Sequence, residues 1–237
     1  MPAELRVFAD AEELGEALAR EVRGAYDEKR SRFLLGCPGG RSLRSTYGAL
    51  ASMRADWSNL VIVMMDEYVP AAPDAHYSCR GFAFREIATP LGVPHQRVWL
   101  PDPADPAAYD DQIADAGGID LFLLASGASD GHVALVPPGS PPDGRTSVVT
   151  LAESTRRDNL ATFPEFDSLA DVPERGVTVG LGTIAEARAV RLVLHGSDKH
   201  TATARLLELD DFDPSWPASV VHVCDDAQIL VDRAALG

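Results

Sequence analysis

The sequence predicts an α/β fold in which one open, mostly parallel sheet is flanked by helices. Short apolar runs typical of buried strands alternate with segments of helical periodicity, and this alternation favours parallel strands joined by right-handed crossovers. The length of 237 residues is sufficient for one sizeable domain. Because neither an internal repeat nor a low-complexity linker interrupts the chain, residues 1–237 are expected to form a single domain.

The composition excludes several classes of function. A net charge of −15 argues against a duplex nucleic acid or an anionic membrane as partner. It still permits a small anionic substrate, which backbone N–H groups and one or two cations can hold. No apolar run approaches the ~20 residues of a membrane span, and the first residues lack the layout of a signal peptide. We therefore expect a cytoplasmic protein.

The three cysteines are widely separated and lack the spacing of a metal site. They are predicted to be reduced thiols that are buried or partly buried, and no metal or organic cofactor is expected. The sequence is compatible with a homo-oligomer but carries no pattern that specifies one. The cysteines are Cys37, Cys79 and Cys224.

The first half of the chain is predicted to begin with a strand at residues 5–8. Asp10 and Glu13 then form a capping-box pattern that starts a helix. Apolar residues at i, i+3, i+4 and i+8 continue this helix as one stripe that packs on the sheet, namely Leu14, Ala17, Leu18 and Val22. Further strands are predicted at residues 32–36, 60–65 and 97–100, with helices from Leu43 to Leu50, at residues 77–88 and at 107–116, and an irregular loop at 69–76.

The second half repeats the alternation of strands and helices. A short apolar run at residues 119–124 is bounded by an acidic flank and small residues, which is typical of a buried strand. Further strands are predicted at residues 146–151, 176–182, 190–195 and 219–224, short helices are predicted to begin at Thr183 and near Lys199, and residues 152–173 form a polar segment.

A glycine-rich turn links the second strand to the following helix. It contains Gly39, Gly40, Arg41 and Ser42. Such a turn frees backbone N–H groups to point at an anion, the helix dipole adds to the attraction, and Arg41 and Ser42 offer side-chain donors. The turn matches neither a Walker loop nor GxGxxG, and turn chemistry alone explains such a pattern about as often as phosphate binding.

Two acids, Asp66 and Glu67, follow the continuous apolar run at residues 60–65. The run predicts a central strand buried on both faces. A carboxylate buried at the end of such a strand has a raised pKa and becomes a useful base. The alternative is that Asp66 caps the loop and Glu67 faces water.

The triplet of Asp130, Gly131 and His132 follows the strand at residues 119–124. In open α/β sheets, ligands bind beyond the carboxyl ends of the strands, so this histidine is delivered to the expected site. A lone Asp-Gly-His more often contains a loop histidine satisfied by its neighbouring aspartate. Lys199 lies near a helix start, against the preference of the helix dipole, and a cation there can partner a bound anion.

Four segments, taken in order, resemble the glucosamine-6-phosphate deaminase and 6-phosphogluconolactonase superfamily. They are LLGCPGGRSLRSTYGAL, VIVMMDEYV, IDLFLLASGASDGHVALVPPGS and VTVGLGTIAEARAVRLVLHGSDK. The resemblance spans nearly the whole chain and is nearer the deaminase/isomerase branch, because Asp66 and Glu67 are followed by Tyr68 where lactonases usually carry an arginine. It implies a Rossmann-like fold and a phosphorylated sugar as substrate.

The resemblance also implies roles for the candidate residues. His132, oriented by Asp130, would pass a proton to and from the ring oxygen of an amino-sugar phosphate. Asp66 would move the C2 proton to C1, and Glu67 would be a supporting acid. The phosphate would be held by Gly39, Gly40, Arg41, Ser42 and Lys199.

The chain departs from the deaminase pattern at two positions. Pro137 stands five residues after the histidine, where deaminases commonly carry a glutamate, and Ala161 stands at the nearest match to a phosphate-contacting arginine. Loss of the glutamate could slow ring opening, change the substrate, or leave its task to another acid. Two alternatives therefore stay open, a sugar-phosphate lactonase and a sugar-phosphate-binding protein without catalysis.

Overall fold

The computed structural model describes residues 3–29, 31–72 and 75–237, and its strands form two sheets. The order of elements alternates strands with helices along most of the chain. The strands of the described residues are β1 (Glu4–Phe8), β2 (Phe33–Cys37), β3 (Leu60–Met64), β4 (Asp66–Val69), β5 (Val98–Trp99), β6 (Leu121–Ala125), β7 (Ser147–Thr150), β8 (Arg175–Thr178), β9 (Val190–Leu194) and β10 (Ala227–Asp232).

Helices cover the larger sheet and fill several of the connections. They are α1 (Ala11–Lys29), α2 (Arg44–Ser52), α3 (Cys79–Phe82), α4 (Thr89–Leu91), α5 (Ala107–Asp115), α6 (Glu153–Thr162), α7 (Leu181–Ala185), α8 (His200–Leu207) and α9 (Arg233–Leu236). A π-helical stretch at Ala83–Ala88 joins α3 to α4. Within the described parts of the chain, no helix has both the length and the apolar character needed to cross a membrane.

The larger sheet has seven strands in the order β1-β10-β9-β6-β2-β3-β5, and every pair in it is parallel. Strands β2, β3 and β9 are buried at every residue, because one apolar cluster packs on each face of the sheet. Parallel strands buried on both faces are continuous apolar runs in the sequence, which is why they were predictable. The predicted α/β class with a mostly parallel sheet is confirmed.

A second sheet begins where β3 ends. Met65 is the connecting residue, and its carbonyl accepts a hydrogen bond from Val179 N–H at 2.8 Å. Strand β4 then pairs antiparallel with β8, which places Asp66 opposite Thr178, and β7 pairs with the other side of β8. The exchange of sheets turns the chain across the carboxyl end of β3, and ligands bind at this edge of parallel sheets.

The predicted strand at residues 219–224 is wrong. Residues Pro217–Val223 form a 3-10 helix, and the last strand is β10. Residues 217–222 are all buried, and a short buried apolar run carries no periodicity that separates a strand from a helical turn. The strand predicted at residues 176–182 is shorter, because β8 ends at Thr178 and α7 starts at Leu181.

Two further segments differ in detail from the sequence prediction. The polar segment at residues 152–173 contains α6, a helix that was not predicted from the sequence. The loop predicted at residues 69–76 includes Pro73 and Asp74, which lie outside the described residues. The three cysteines are free and buried, as expected.

The contact between β2 and β6 has no room for a side chain at Gly36. Gly36 stands opposite Phe122 in the register of these strands, and a Cβ atom on it would overlap the phenyl ring. We expect Gly36→Ala to lower the free energy of unfolding by about 1–3 kcal/mol, since the buried ring must shift. Urea denaturation measures this change.

Gly48 in α2 provides the matched control, because a Cβ atom there meets nothing within 4 Å. Gly48→Ala should leave the fold intact and raise the free energy of unfolding by about 0.5–1 kcal/mol, as expected for alanine in an exposed helical position. Equal stability of Gly36→Ala and the wild type would contradict the packing argument.

Candidate active site

A cleft opens at the carboxyl ends of the parallel strands, the edge at which ligands of such sheets bind. Its walls come from the loops after β2 and β6, from β4, from α6 and from the start of α8. Seven of the nine residues predicted for the site line it, namely Gly39, Gly40, Arg41, Ser42, Asp66, His132 and Lys199.

The glycine-rich turn after β2 forms one end of the cleft. Gly40 has a φ of +86°, a backbone conformation that favours glycine. Helix α2 follows, and its N-cap residue, Leu43, offers no side-chain hydrogen bond to the first turn. The N–H of Arg44 already donates to the carbonyl oxygen of Arg41 at 3.2 Å, which leaves the next N–H groups of the first turn, those of Ser45 and Thr46, to an anion bound in the turn. Arg41 lies at the same end and pairs with Asp198 at 2.5 Å, with both side chains about half exposed.

Lys199 brings a second cation to this end of the cleft. Its Nζ donates to the carbonyl oxygen of Ser126 at 2.8 Å. Burial lowers the pKa of Lys199, while the carboxylates of Asp198 and Asp158 act in the opposite direction. The ammonium group is thus held by the loop after β6 and lies beside the glycine-rich turn, which suits a cradle for a phosphate group.

Asp66 lies in the cleft and is buried, with 6% of its surface exposed. The Sγ atom of Cys79, at the start of α3, donates to Asp66 Oδ1 at 3.0 Å. Burial raises the pKa of Asp66 to about 6, and Glu67 adds to this effect, whereas the Cys79 hydrogen bond and His132 oppose it. A carboxylate with this pKa is ionised at neutral pH and is a stronger base than an exposed aspartate.

His132 is fixed by Asp130, which lies behind it. The distance from His132 Nδ1 to Asp130 Oδ1 is 2.6 Å, and the backbone N–H of His132 donates to the same oxygen at 3.1 Å. The hydroxyl groups of Ser154 and Thr155, in the first turn of α6, donate to Asp130 Oδ2 at 2.5 and 2.9 Å. Burial acts to raise the pKa of Asp130, but the bonds from His132 and Ser154 outweigh it and hold the pKa well below its ordinary value.

Two glycines allow this packing. A Cβ atom at Gly127 would overlap the imidazole ring of His132, and one at Gly131, whose φ is +65°, would overlap the indole of Trp216. The loop can therefore hold the imidazole of His132 in contact with Asp130, because Gly127 and Gly131 carry no side chains.

Glu67 does not line the cleft, although it is buried. Its carboxylate accepts hydrogen bonds from the backbone N–H groups of Tyr68, Cys79 and Arg80 at 2.9–3.1 Å. Two of these donors belong to the first turn of α3, which has no intrahelical acceptors for them. Glu67 thus ties α3, and with it Cys79, to β4.

Several residues of the cleft were not identified from the sequence. Cys79 lies in a segment predicted to be a helix with no role in the site, and a second group belongs to α6 within the polar segment. The residues of α6 and its end that line the cleft are Asp158, Asn159, Thr162 and Phe163. The spacing of Thr155, Asn159 and Thr162 at i, i+4 and i+7 is a helical period of polar groups, and it was the available signal.

One set of side chains has the proximity that a metal site requires. Ligand atoms of Asp130, His132 and Asp158 lie within 4.8 Å of one another. However, the oxygens of Asp130 and the Nδ1 atom of His132 are already engaged in hydrogen bonds. This donor set fits a histidine held by an aspartate better than a cation site.

Pro137 and Ala161, the two departures from the deaminase pattern, do not line the cleft. Pro137 is half-buried beside the buried Val136, and Ala161 is exposed on α6. The loop after His132 therefore contributes no acid at residue 137. The acidic group of α6 that does reach the cleft is Asp158.

Comparisons with known proteins agree with this geometry. A family model described as glucosamine-6-phosphate isomerases/6-phosphogluconolactonase matches residues 9–230. The chain is 40% identical over 212 residues to a glucosamine-6-phosphate deaminase of Pseudarthrobacter chlorophenolicus, covering 85% of this chain and 80% of the relative. It is 32% identical over 218 residues to the deaminase of Shouchella clausii, covering 88% and 86%.

Solved structures give the same result. A structure described as a monomeric glucosamine-6-phosphate deaminase has a TM-score of 0.91 and 28% identity, and the match covers 98% of each chain. A 6-phosphogluconolactonase from Leishmania guyanensis has a TM-score of 0.76 at 18% identity over 99% and 98% of the two chains, which shows a shared fold. The predicted superfamily, nearer its deaminase branch, is confirmed.

The thiol of Cys79 lowers the pKa of Asp66, and this gives a direct test of their contact. We expect Cys79→Ala to raise the pKa of Asp66 above about 6, because the carboxylate loses a hydrogen bond that favours its charged form. The 13C NMR titration of side-chain carboxyls, with Asp66→Asn to assign the signal, measures the shift. Cys79→Ser, which keeps a donor, is the control, and identical titrations of Asp66 in Cys79→Ala and wild type would disprove the contact.

Proposed function

Because the chain belongs to the glucosamine-6-phosphate isomerase/6-phosphogluconolactonase family, we propose that it isomerises and deaminates an amino-sugar 6-phosphate of the glucosamine-6-phosphate type. The observation that carries the proposal is the buried carboxylate of Asp66, which shares a cleft with His132 and Lys199. Isomerisation needs a base to move a proton between neighbouring carbons. A carboxylate with a pKa near 6 suits this task.

The phosphate group binds at the end of the cleft formed by the glycine-rich turn. Backbone N–H groups of Gly39 and Gly40 and of the first turn of α2, with the hydroxyl of Ser42, donate to its oxygens. Arg41 and Lys199 supply the positive charge. Binding the phosphate at a fixed place orients the reacting carbons, so that binding energy far from the chemistry serves the transition state.

His132 acts at the ring. Its Nδ1 atom is engaged with Asp130, which leaves Nε2 as the nitrogen that can serve the sugar. When the ring opens, Nε2 donates a proton to the ring oxygen as the bond from that oxygen to C1 breaks. Asp130 fixes the tautomer and orientation of the imidazole, and this role agrees with its four accepted hydrogen bonds.

Asp66 acts on the open-chain sugar. Its carboxylate takes the proton from C2, and the same carboxyl group returns that proton to C1. As the C2 proton leaves, the aldehyde oxygen at C1 gains a proton and the electron pair left at C2 forms the C1=C2 bond of an enol amine. When C1 is then protonated, the nitrogen forms the C2=N bond and releases one proton, which balances the proton taken up by the oxygen. Water then adds to the imine carbon and ammonia leaves, giving the ketose phosphate. Glu67 supports this step from outside the cleft, because it anchors the helix start that presents Cys79 to Asp66.

Product analysis tests the proposal. Purified protein is incubated separately with glucosamine 6-phosphate, galactosamine 6-phosphate and 6-phosphogluconolactone, and ammonia, ketose phosphate and acid are followed. We expect ammonia and ketose phosphate in equal amounts from one amino sugar. Lactone hydrolysis without ketose from either amino sugar would favour a lactonase instead. Binding of sugar phosphate without turnover would favour a non-catalytic sensor.

The base role of Asp66 predicts a pH dependence of catalysis. We expect kcat/KM to fall as the pH drops through about 6, because protonated Asp66 cannot accept the C2 proton. Asp66→Asn should lose on the order of 10³-fold in kcat, as expected when a general base is removed. A lactonase would retain activity in this variant, and a kcat/KM profile that stays flat between pH 5 and 7 would exclude the proposed base.

Asp66 also predicts a gain in stability on substitution. The pKa of Asp66 is raised from 3.8 to about 6 in the folded state, so the protonated carboxyl group favours folding. This contribution to the free energy of unfolding is complete below pH 3.8 and is lost as the pH rises through about 6. At pH 8, Asp66→Asn should therefore unfold with a free energy higher by on the order of 3 kcal/mol, and near pH 4 the difference should be small. Urea denaturation at both pH values measures it. A variant less stable than the wild type at pH 8 would contradict the raised pKa.

Lys199→Met tests the phosphate site. Loss of a charge-assisted hydrogen bond is worth about 1.5–3 kcal/mol, so we expect KM to rise about 10–100-fold while kcat falls less. Steady-state kinetics with the sugar phosphate measures both values. Arg20→Met is the control, since Arg20 is an exposed residue of α1 paired with Glu16, outside the cleft. An unchanged KM in Lys199→Met would place the phosphate elsewhere.

A further inference from the structure

Asp158 is a carboxylate on the cleft wall for which the steps above provide no role. It lies on α6 and lines the cleft with His132 and Lys199. One oxygen of Asp158, one of Asp130 and one ring nitrogen of His132 lie within 4.8 Å of one another. Asp130 lies behind the imidazole, since it bonds to Nδ1 and does not line the cleft. Asp158 therefore approaches the same histidine from the side of the cleft.

The two oxygens of Asp158 have different surroundings. Oδ2 accepts hydrogen bonds from the backbone N–H groups of Ala128 and Ser129 at 3.0 and 3.4 Å. These residues belong to the loop that carries His132. For Oδ1, none of the residues that the structure describes provides a hydrogen bond. One oxygen thus fixes the carboxylate to the loop, and the other is left to a ligand.

His132 offers a matching group. Its Nδ1 atom is engaged by Asp130, and within the described parts of the chain no donor or acceptor bonds to Nε2. A carboxylate oxygen of Asp158 lies within 4.8 Å of a ring nitrogen of His132, and both residues line the cleft. One can give a proton and the other can take one, and this is the arrangement of a paired general acid and base.

Opening a closed sugar requires such a pair. C1 of the ring form carries two oxygens, the ring oxygen and a hydroxyl group. The hydroxyl loses its proton as the C1=O bond forms, and the ring oxygen gains a proton as its bond to C1 breaks. Because both oxygens are bonded to the same carbon, the base and the acid that serve them must be neighbours.

We propose that Asp158 is the base of ring opening, accepting the proton of the C1 hydroxyl while His132 protonates the ring oxygen. The proposal rests on the proposed function, because it concerns the cyclic form of the same substrate. One proton leaves the sugar and one enters it, so the sugar gains no charge. The proton on Asp158 then returns to His132, and the pair is ready for the next molecule.

This role can be measured apart from isomerisation. In an Asp66→Asn background the C2 proton stays in place, and opening and closing of the ring interconverts the two anomers of glucosamine 6-phosphate. Exchange NMR of the C1 signals measures the interconversion rate against the uncatalysed rate. We expect Asp66→Asn to accelerate it in proportion to protein concentration. Adding Asp158→Asn should reduce this acceleration about 10²-fold, as expected for loss of a general base.

Glu153 provides the matched control on the same helix. It is exposed and pairs with Arg157, so Glu153→Gln in the same background should leave the acceleration unchanged. Asparagine at residue 158 keeps an oxygen for the N–H of Ala128, and the thermal denaturation midpoint should stay at that of Asp66→Asn. Loss of the acceleration together with a lowered midpoint would assign Asp158 to holding the loop and would overturn the inference.

The outcomes separate this inference from the proposed function. Full acceleration in Asp66→Asn/Asp158→Asn, together with ammonia and ketose release by the wild type, would overturn the role of Asp158 alone. A wild-type protein that releases neither product would overturn the proposed function and this inference with it.

Discussion

The antiparallel pairing of β4 with β8 is the constraint on which the site depends. It places Asp66 opposite Thr178, directly after the central strand β3. A carboxylate at this position would face solvent if the chain continued into an ordinary loop. The second sheet instead buries the carboxylate beside Cys79, where the charge of His132 also acts on its pKa. This burial raises the pKa of Asp66 and makes it a stronger base. Glu67, the next residue, does not line the cleft and fixes α3 through backbone N–H groups. Of the two adjacent acids, one therefore lies in the cleft and the other holds the helix whose first residue, Cys79, contacts it.

Much of the large sheet could be predicted from the sequence, because its strands are buried on both faces and are continuous apolar runs. The same property explains the error at residues 219–224, where a buried 3-10 helix has the apolar character of a strand. Helix α6 was missed for the opposite reason. Thr155 is its one fully buried residue, so it has no apolar stripe that a periodicity search would detect. Its polar face lines the cleft instead of packing in the core.

The candidate site shows the same division. The glycine-rich turn, Asp66, Asp130, His132 and Lys199 stand out locally, because each follows a strand or begins a helix. The contacts of Cys79 with Asp66 and of Asp158 with the loop after β6 join residues that lie 13 and 29–30 positions apart. The sequence separation of these partners does not predict their contacts, because the contacts depend on how α3 and α6 pack over the sheet. Pro137 and Ala161 mark positions where side-chain chemistry was expected, and α6 brings other polar groups to the same cleft.

The strand order also sets a sequence of events during synthesis. β1 pairs with β10 alone in the large sheet, and β10 separates it from β9. Strand β1 therefore has no partner in the sheet until β10 has been synthesised, and helix α1 and the central strands must associate without it. Completion of the sheet needs a contact between strands that lie more than 200 residues apart (Glu4 pairs with Gln228), and contacts so distant in sequence form slowly. The edge exposed during that wait is short, five residues in β1, and a short edge limits pairing with other nascent chains.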